Sequence, residues 1–256
     1  MNIDDSIVKG FLEDKDEYTN HWLFYNIMDN GLYTFDKPNK EYKEKVKRIY
    51  EETYSSLIDF IPYNVSIFFD LFPQWKELIG NINIILAVGC PAPYDAMVRE
   101  HDGTEYVIFD LIRFLSYEQE GDDVVSLIRG MITHEFAHIC IHDTYPNITQ
   151  SYIDRLKYIA FDEGFAHILA FRDNIVDYDV KKIIDLHYKD ALDVFKIALA
   201  ETDILKQKEY LEMANSGDYW SKFAAISGKL YLASNINTLK DIYHSGPADM
   251  IDKMGL

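Results

Sequence analysis

Residues 124–142 read VVSLIRGMITHEFAHICIH, and the reading of this stretch decides the rest. Its apolar side chains recur at helical spacing for about five turns, which predicts a long core helix. Gly121-Asp122-Asp123 stands before it and can cap its start. Upstream, Asn81 to Val88 (NINIILAV) is rich in β-branched residues and runs into the breaker cluster Gly89-Cys90-Pro91-Ala92-Pro93. Tyr94 to Arg99 and Glu105 to Leu111 are two further strand-like runs, separated by the turn signal His101-Asp102-Gly103. A small sheet with at least one hairpin therefore precedes the helix.

Further upstream, Tyr42, Val46, Ile49, Tyr50, Tyr54, Leu57 and Ile58 predict a helix over 41–60, stopped by Pro62. A second is predicted over Val65 to Leu78, kinked or split at Pro73. In it, Phe68, Phe69, Phe72 and Trp75 read as core. From Ser151 onward the signals are all helical, broken at Asp173-Asn174, Asn215-Ser216-Gly217 and Ser245-Gly246-Pro247. The expected class is α+β, a small mixed sheet followed by a long helix and a mainly helical C-terminal half. The domain boundary is drawn after 145, giving lobes 1–145 and 146–256 that form one catalytic unit with a cleft between them.

The 256 residues carry 43 acidic and 25 basic side chains, a formal charge of −18. Such a chain repels a phosphate backbone and an anionic membrane, so neither nucleic acid nor membrane is an expected partner. The acidic start MNIDDSIVKGFLEDKDE lacks the basic and apolar regions of a signal peptide, and no window reaches the roughly 18 uncharged apolar residues of a spanning helix. Cys90 and Cys140 lie in apolar settings and read as buried free thiols. A cytoplasmic protein is expected. The acidic runs Asp14 to Tyr18 and Glu118 to Asp123 read as solvated faces that could favour a cationic substrate.

Within the long helix, His134-Glu135-Phe136-Ala137-His138 forms an H-E-x-x-H pattern. Histidines at i and i+4 stand about 40° apart around a helix and one turn apart along it, so both rings can reach one ion. Glu135 lies at the edge of that face, where a carboxylate can take a proton from a metal-activated water. The flanking Ile132, Phe136, Ala137, Ile139 and Cys140 are uncharged, and a carboxylate buried among them is costly unless a charge compensates it. His142, one turn further on, is expected to cap the helix end. A second apolar stretch, IAFDEGFAHILA at 159–170, carries Glu163 and His167 at i and i+4, and Gly164 leaves room for another helix to approach.

On these residues, over roughly Val124 to Phe171, the chain resembles the gluzincin branch of zinc metallopeptidases, the thermolysin-like or zincin architecture. The resemblance implies a Zn²⁺ held by His134, His138 and Glu163, with Glu135 as general base, acting on a peptide or protein substrate. His167 stands where several relatives carry a supporting acid, and the opposite arrangement is open, with His167 as ligand and Glu163 supporting it. The family's oxyanion donor comes from the C-terminal helices, where Tyr219, Tyr231 and His244 are candidates. Its substrate-pairing strand would be Glu105 to Leu111 or Asn81 to Val88. The metzincin branch is excluded, because Ile141 and Thr144 stand where it needs glycine and histidine. Two other readings stand beside this one: a non-catalytic metal-binding protein on the same fold, and a di-iron carboxylate oxidoreductase using Glu135 with His138 and Glu163 with His167.

Overall fold

Ile84, Ile85, Leu86 and Ala87 are completely buried, which is what the β-branched run at 81–88 requires if covered on both faces. The computed structural model describes the chain except residues 27, 30, 31, 34, 93, 120–122, 147, 149 and 150, with backbone alone at 26, 28, 29, 32, 33, 118 and 119. The proposed cap residues Gly121 and Asp122, and most of the acidic run at 118–123, lie outside the fully described residues. The chain is α+β and divides into two compact units, Met1–Ile61 with Lys76–Glu135, and Pro62–Trp75 with Phe136–Leu256. That division falls inside the long helix, whereas the sequence reading placed the boundary after 145.

In the first unit the strands are β1 (Asn2–Asp4), β2 (Met28–Asp29), β3 (Leu32–Tyr33), β4 (Asn83–Ala87), β5 (Ala96–His101) and β6 (Thr104–Asp110). β2 and β3 form a short antiparallel pair, and the other four make a mixed sheet in the order β1-β4-β6-β5. β1, β4 and β6 are parallel and β5 is antiparallel to β6, with Ile84 opposite Val107 and Met97 opposite Ile108. The β5–β6 hairpin turns on Asp102 (φ 50°) and Gly103 (φ 74°). Two successive residues with positive φ match the twist of the strands, which explains Asp-Gly there. The strands expected to offer an edge to substrate, β4 and β6, are both interior. A crossover that brings β6 against β4 pushes β5 to the rim, so the edges are β1 and β5.

The helices of this unit are α1 (Ser6–Leu12), α2 (Leu23–Asn26) and α3 (Lys43–Ile58). α3 buries Val46, Ile49 and Leu57 of the face the periodicity picked out, and Thr53 besides, but Tyr54 and Ile58 are exposed and do not belong to the core face. The predicted helix over 65–78 is two, α4 (Val65–Leu71), which belongs to the second unit, and α5 (Trp75–Gly80), parted around Pro73. Phe68, Phe72 and Trp75 are buried, but Phe69 is 54% exposed and is not core. Immediately after β6 comes α6 (Leu111–Gln119). Asp110 joins the two: Oδ1 accepts from the N–H groups of Ile112 and Arg113, and Oδ2 from those of Gly89 and Cys90. Complete burial pushes this carboxyl up to about 6 against the pull of those N–H donors. Asp14, in the first acidic run, is not a bare solvated charge, because Lys40 and Lys43 pair with it.

The long helix is α7 (Val124–Thr144), started by the Asp123 carboxylate accepting from Val125 N–H. Among the described residues it is the one helix long and apolar enough to cross a membrane. It carries Arg129 and Glu135, and it buries Ile128, Ile132, Phe136 and Cys140 along one stripe, as a core helix does. Cys90 and Cys140 are free and buried, and burial pushes the Cys140 thiol up to about 12.

The second unit is built on α8 (Tyr152–Leu169), which packs against α10 (Ile204–Met213), α11 (Phe223–Ser234) and α12 (Leu239–Lys253), the last kinked at Gly246-Pro247, while α9 (Lys181–Leu199) packs on α11. α8 and α11 cross at glycine on glycine. A Cβ on Gly228 would lie 1.8 Å from the Ala160 carbonyl oxygen, and one on Gly164 2.9 Å from the Gly228 carbonyl carbon. The closeness anticipated at Gly164 is thus met by α11. Tyr145, Phe161, Phe165 and Tyr243 form an aromatic core, with ring centroids 4.9 to 5.8 Å apart. Tyrosine hydroxyls tie the elements together, Tyr158 donating to the Tyr145 carbonyl (2.7 Å) and Tyr145 to that of Tyr243 (2.8 Å). Asn64, ahead of α4, donates to the carbonyls of Leu169 and Arg172 and accepts from Ile175 N–H, closing the C-terminal end of α8.

Candidate metal centre

α7 is continuous across the division of the chain, so the offset of one turn between His134 and His138 is a property of the helix itself. One ligand atom each from His134, His138 and Glu163 lie within 4.8 Å of one another. His138 Nε2 is 3.9 Å from Glu163 Oε2. A tetrahedral ion with bonds of about 2.1 Å holds its ligand atoms roughly 3.4 Å apart. Small side-chain rotations separate the observed spacing from such a site. All three residues are partly buried, as the apolar flanks of the motif require.

The orientation of His138 is set by a residue to which the sequence reading gave no role. Asp162, on α8 beside Glu163, accepts through Oδ1 from His138 Nδ1 at 2.9 Å, which turns Nε2 toward Glu163. A carboxylate that takes the Nδ1 proton of a histidine fixes its tautomer and makes the other nitrogen a better ligand. Burial opposes ionisation of Asp162, but the imidazoles of His138 and His142 outweigh it and hold the carboxyl well below the usual range. His142 is the second of these. Its Nε2 is 3.1 Å from Asp162 Oδ2, so the ring reaches across to α8 instead of only closing the end of α7. His138, His142 and Asp162 form a second group of potential ligand atoms, which shares His138 with the first.

Glu163 is held from its other oxygen, Oε1 accepting from Asn215 Nδ2 at 3.1 Å. Its Oε2 faces both His138 and His167, the latter at 3.6 Å. The group that includes His134 contains Glu163 and not His167. His167 stands behind the carboxylate and packs its ring against Tyr219, with centroids 5.4 Å apart. Asn215 appeared in the sequence only as part of a helix break. An asparagine in a break region gives no hint that it reaches 52 positions back along the chain.

Of the three candidate donors, Tyr219 alone is brought beside this cluster. It opens a short 3₁₀ turn, Tyr219–Ser221, after the break at Gly217. The residue is 38% exposed, but its hydroxyl end meets the buried Lys229, and loss of solvent there pushes the phenol up to about 12, to which the nearby Glu163 charge adds. Tyr231 lies by Tyr188 on α9, and His244 is exposed with its ring against its neighbour Tyr243. Trp220 is 41% exposed, and its stacking partner is His187, at 3.8 Å. Phe223, at the start of α11, is buried.

The donor set, two imidazoles and a carboxylate with a second carboxylate bracing one imidazole, suits a borderline cation such as Zn²⁺. The di-iron reading needs four carboxylates gathered on two ions. Among the described residues, Glu135 joins neither group of potential ligand atoms. No protein-family model, no curated protein and no solved structure matches this chain.

Proposed function

We propose that this protein is a zinc-dependent hydrolase of peptide bonds on a zincin-like fold, with His134, His138 and Glu163 holding the ion. The observation that carries the reading is the bracing of His138 by Asp162, which points its free nitrogen at Glu163 one helix away. A core that only needed filling would place apolar side chains there, because buried carboxylates and imidazoles cost stability unless charge and hydrogen bonds compensate them. A bound Zn²⁺ supplies Lewis acidity, polarising a carbonyl oxygen and lowering the pKa of water.

The remaining chemistry belongs to the chain. Glu135, half-buried and next to His134, takes one proton from the attacking water as its oxygen bonds to the carbonyl carbon. It returns that proton to the amide nitrogen as the C–N bond breaks, and the second proton of the water passes from the new carboxylic acid to the amine, leaving a carboxylate and an ammonium group. The Tyr219 hydroxyl donates to the oxygen on which negative charge develops. Asn215 keeps the Glu163 carboxylate from rotating away. β5, an antiparallel strand with one side open, is the edge on which an extended peptide could pair.

The test is cleavage of a mixed-sequence peptide library by the zinc-loaded protein, read by mass spectrometry beside Glu135→Gln. Cleavage by the wild type, lowered at least about 10²-fold in the variant, is expected for loss of a general base. Stoichiometric zinc with no cleavage by either protein would leave a metal-binding protein without turnover.

A further inference from the structure

Lys229 is the single charged residue in α11, FAAISGKLYLAS, and it is 2% exposed. Its Nζ stands 2.5 Å from Tyr219 Oη and 4.0 Å from the centre of the Phe171 ring, with the rings of Tyr219 and Trp220 at 5.1 and 5.8 Å. Among the described residues no carboxylate pairs with it. Aromatic faces attract a desolvated ammonium, but a methionine would fill the same space without burying a charge. Packing alone therefore gives no reason for a lysine here.

The hydrogen bond gives one. An ammonium has three donors and no acceptor, so Tyr219 Oη must be the acceptor in this contact. A phenol oxygen that accepts from one side has its own proton left to donate elsewhere. Burial pushes Lys229 down to about 8, so the group is still mainly charged at neutral pH and keeps this polarity. The same phenol ring meets His167 edge to face, and the Glu163 charge acts on it. We propose that Lys229 is a positioning residue, which donates to the Tyr219 oxygen from the core and fixes that phenol as a hydrogen-bond donor toward the Glu163 side of the site. This role rests on the hydrolase reading above, in which Tyr219 serves the carbonyl oxygen of the peptide.

The test has two arms. Protein labelled at tyrosine Cζ is examined by NMR without metal at pH 7, and the resonance missing from Tyr219→Phe identifies Tyr219. Lys229→Met, which keeps an unbranched side chain and removes the donor, is expected to move that resonance; Lys229→Arg, which restores a donor, is expected to return it toward its wild-type position. In the second arm, the zinc-loaded proteins are assayed on a fluorescence-quenched peptide drawn from the library. Lys229→Met should lower kcat about tenfold or more with KM little changed, as for a misplaced oxyanion donor. The double variant Lys229→Met/Tyr219→Phe should be no slower than Tyr219→Phe alone, since Lys229 acts only through Tyr219. An unmoved resonance, or losses that multiply in the double variant, would overturn the positioning role while the hydrolase reading stood. A moved resonance with no hydrolysis by the wild type would overturn both, and leave the contact as packing.

Discussion

Asp162 shows how much a single side chain adds to a motif. The H-E-x-x-H pattern places two imidazoles on one helix face, but it says nothing about which nitrogen each ring presents. Asp162 answers that for His138, and it also gathers His142. Replacing Asp162 by Asn keeps the size and removes the charge that fixes the tautomer. We expect zinc affinity to fall 10- to 100-fold, measured by competition with a chromophoric chelator. An unchanged affinity would show that the bond to His138 is incidental. At this scale the sequence was informative where spacing is local. The pairing of His134 with His138 was legible because i and i+4 on a helix constrain geometry directly, whereas Glu163 entered through the resemblance to gluzincins, with His167 as its alternative; the structure groups one ligand atom of Glu163 with those of the two histidines. Asp162 stood in the quoted stretch beside Glu163 without a role, because spacing along α8 does not reveal that its carboxylate meets His138 and His142. Asn215 and Lys229 contribute through contacts distant in sequence, and no local pattern marks them.

Secondary-structure elements were legible in proportion to their length. α3, α7 and α8 follow the apolar periodicity, and the hairpin β5–β6 follows Asp102-Gly103. β1, only three residues long, carries no alternation to read, and exists because β4 offers it a parallel edge. α6 was missed although Asp110 precedes it, because the same residue ends a strand and its capping role is visible only from its bonds to Ile112 and Arg113. Gly164 was read as a close approach, and the partner that makes it so, Gly228, lies 64 residues later. The crossing of α8 and α11 leaves no room for a methyl group on Gly228. Gly228→Ala should therefore destabilise the protein by about 2 kcal/mol or more, since the helix propensity of alanine recovers only about 1 kcal/mol. Urea unfolding measures this, and a neutral or stabilising effect would mean that the helices separate at no cost.

Across the whole molecule, the charged groups set how stability varies with pH. The pKa of Lys229 is lowered in the folded protein from 10.5 to about 8. Between these values the unfolded chain holds a proton that the folded chain has lost, so this group makes stability rise with pH across that window. Below about 8 both states are charged and the cost of burial is felt in full. Lys229→Met should be the more stable protein at pH 7, by up to about 3 kcal/mol, and the difference should shrink as pH approaches 10.5. Denaturant unfolding of both proteins between pH 7 and 10 checks this, and a difference independent of pH would contradict it. Asp162 acts at the other end. Its folded carboxyl is held below 3.8, so its stabilisation is complete above that value and is lost as pH falls toward the folded one.

The claim on which the function rests is the ligand set, and elemental analysis of the purified protein tests it most directly. We predict one zinc per chain in the wild type, lost in Glu163→Ala and retained in His167→Ala. A wild type that takes up no zinc, or zinc that is lost with His167→Ala and kept with Glu163→Ala, would contradict the site described for His134, His138 and Glu163.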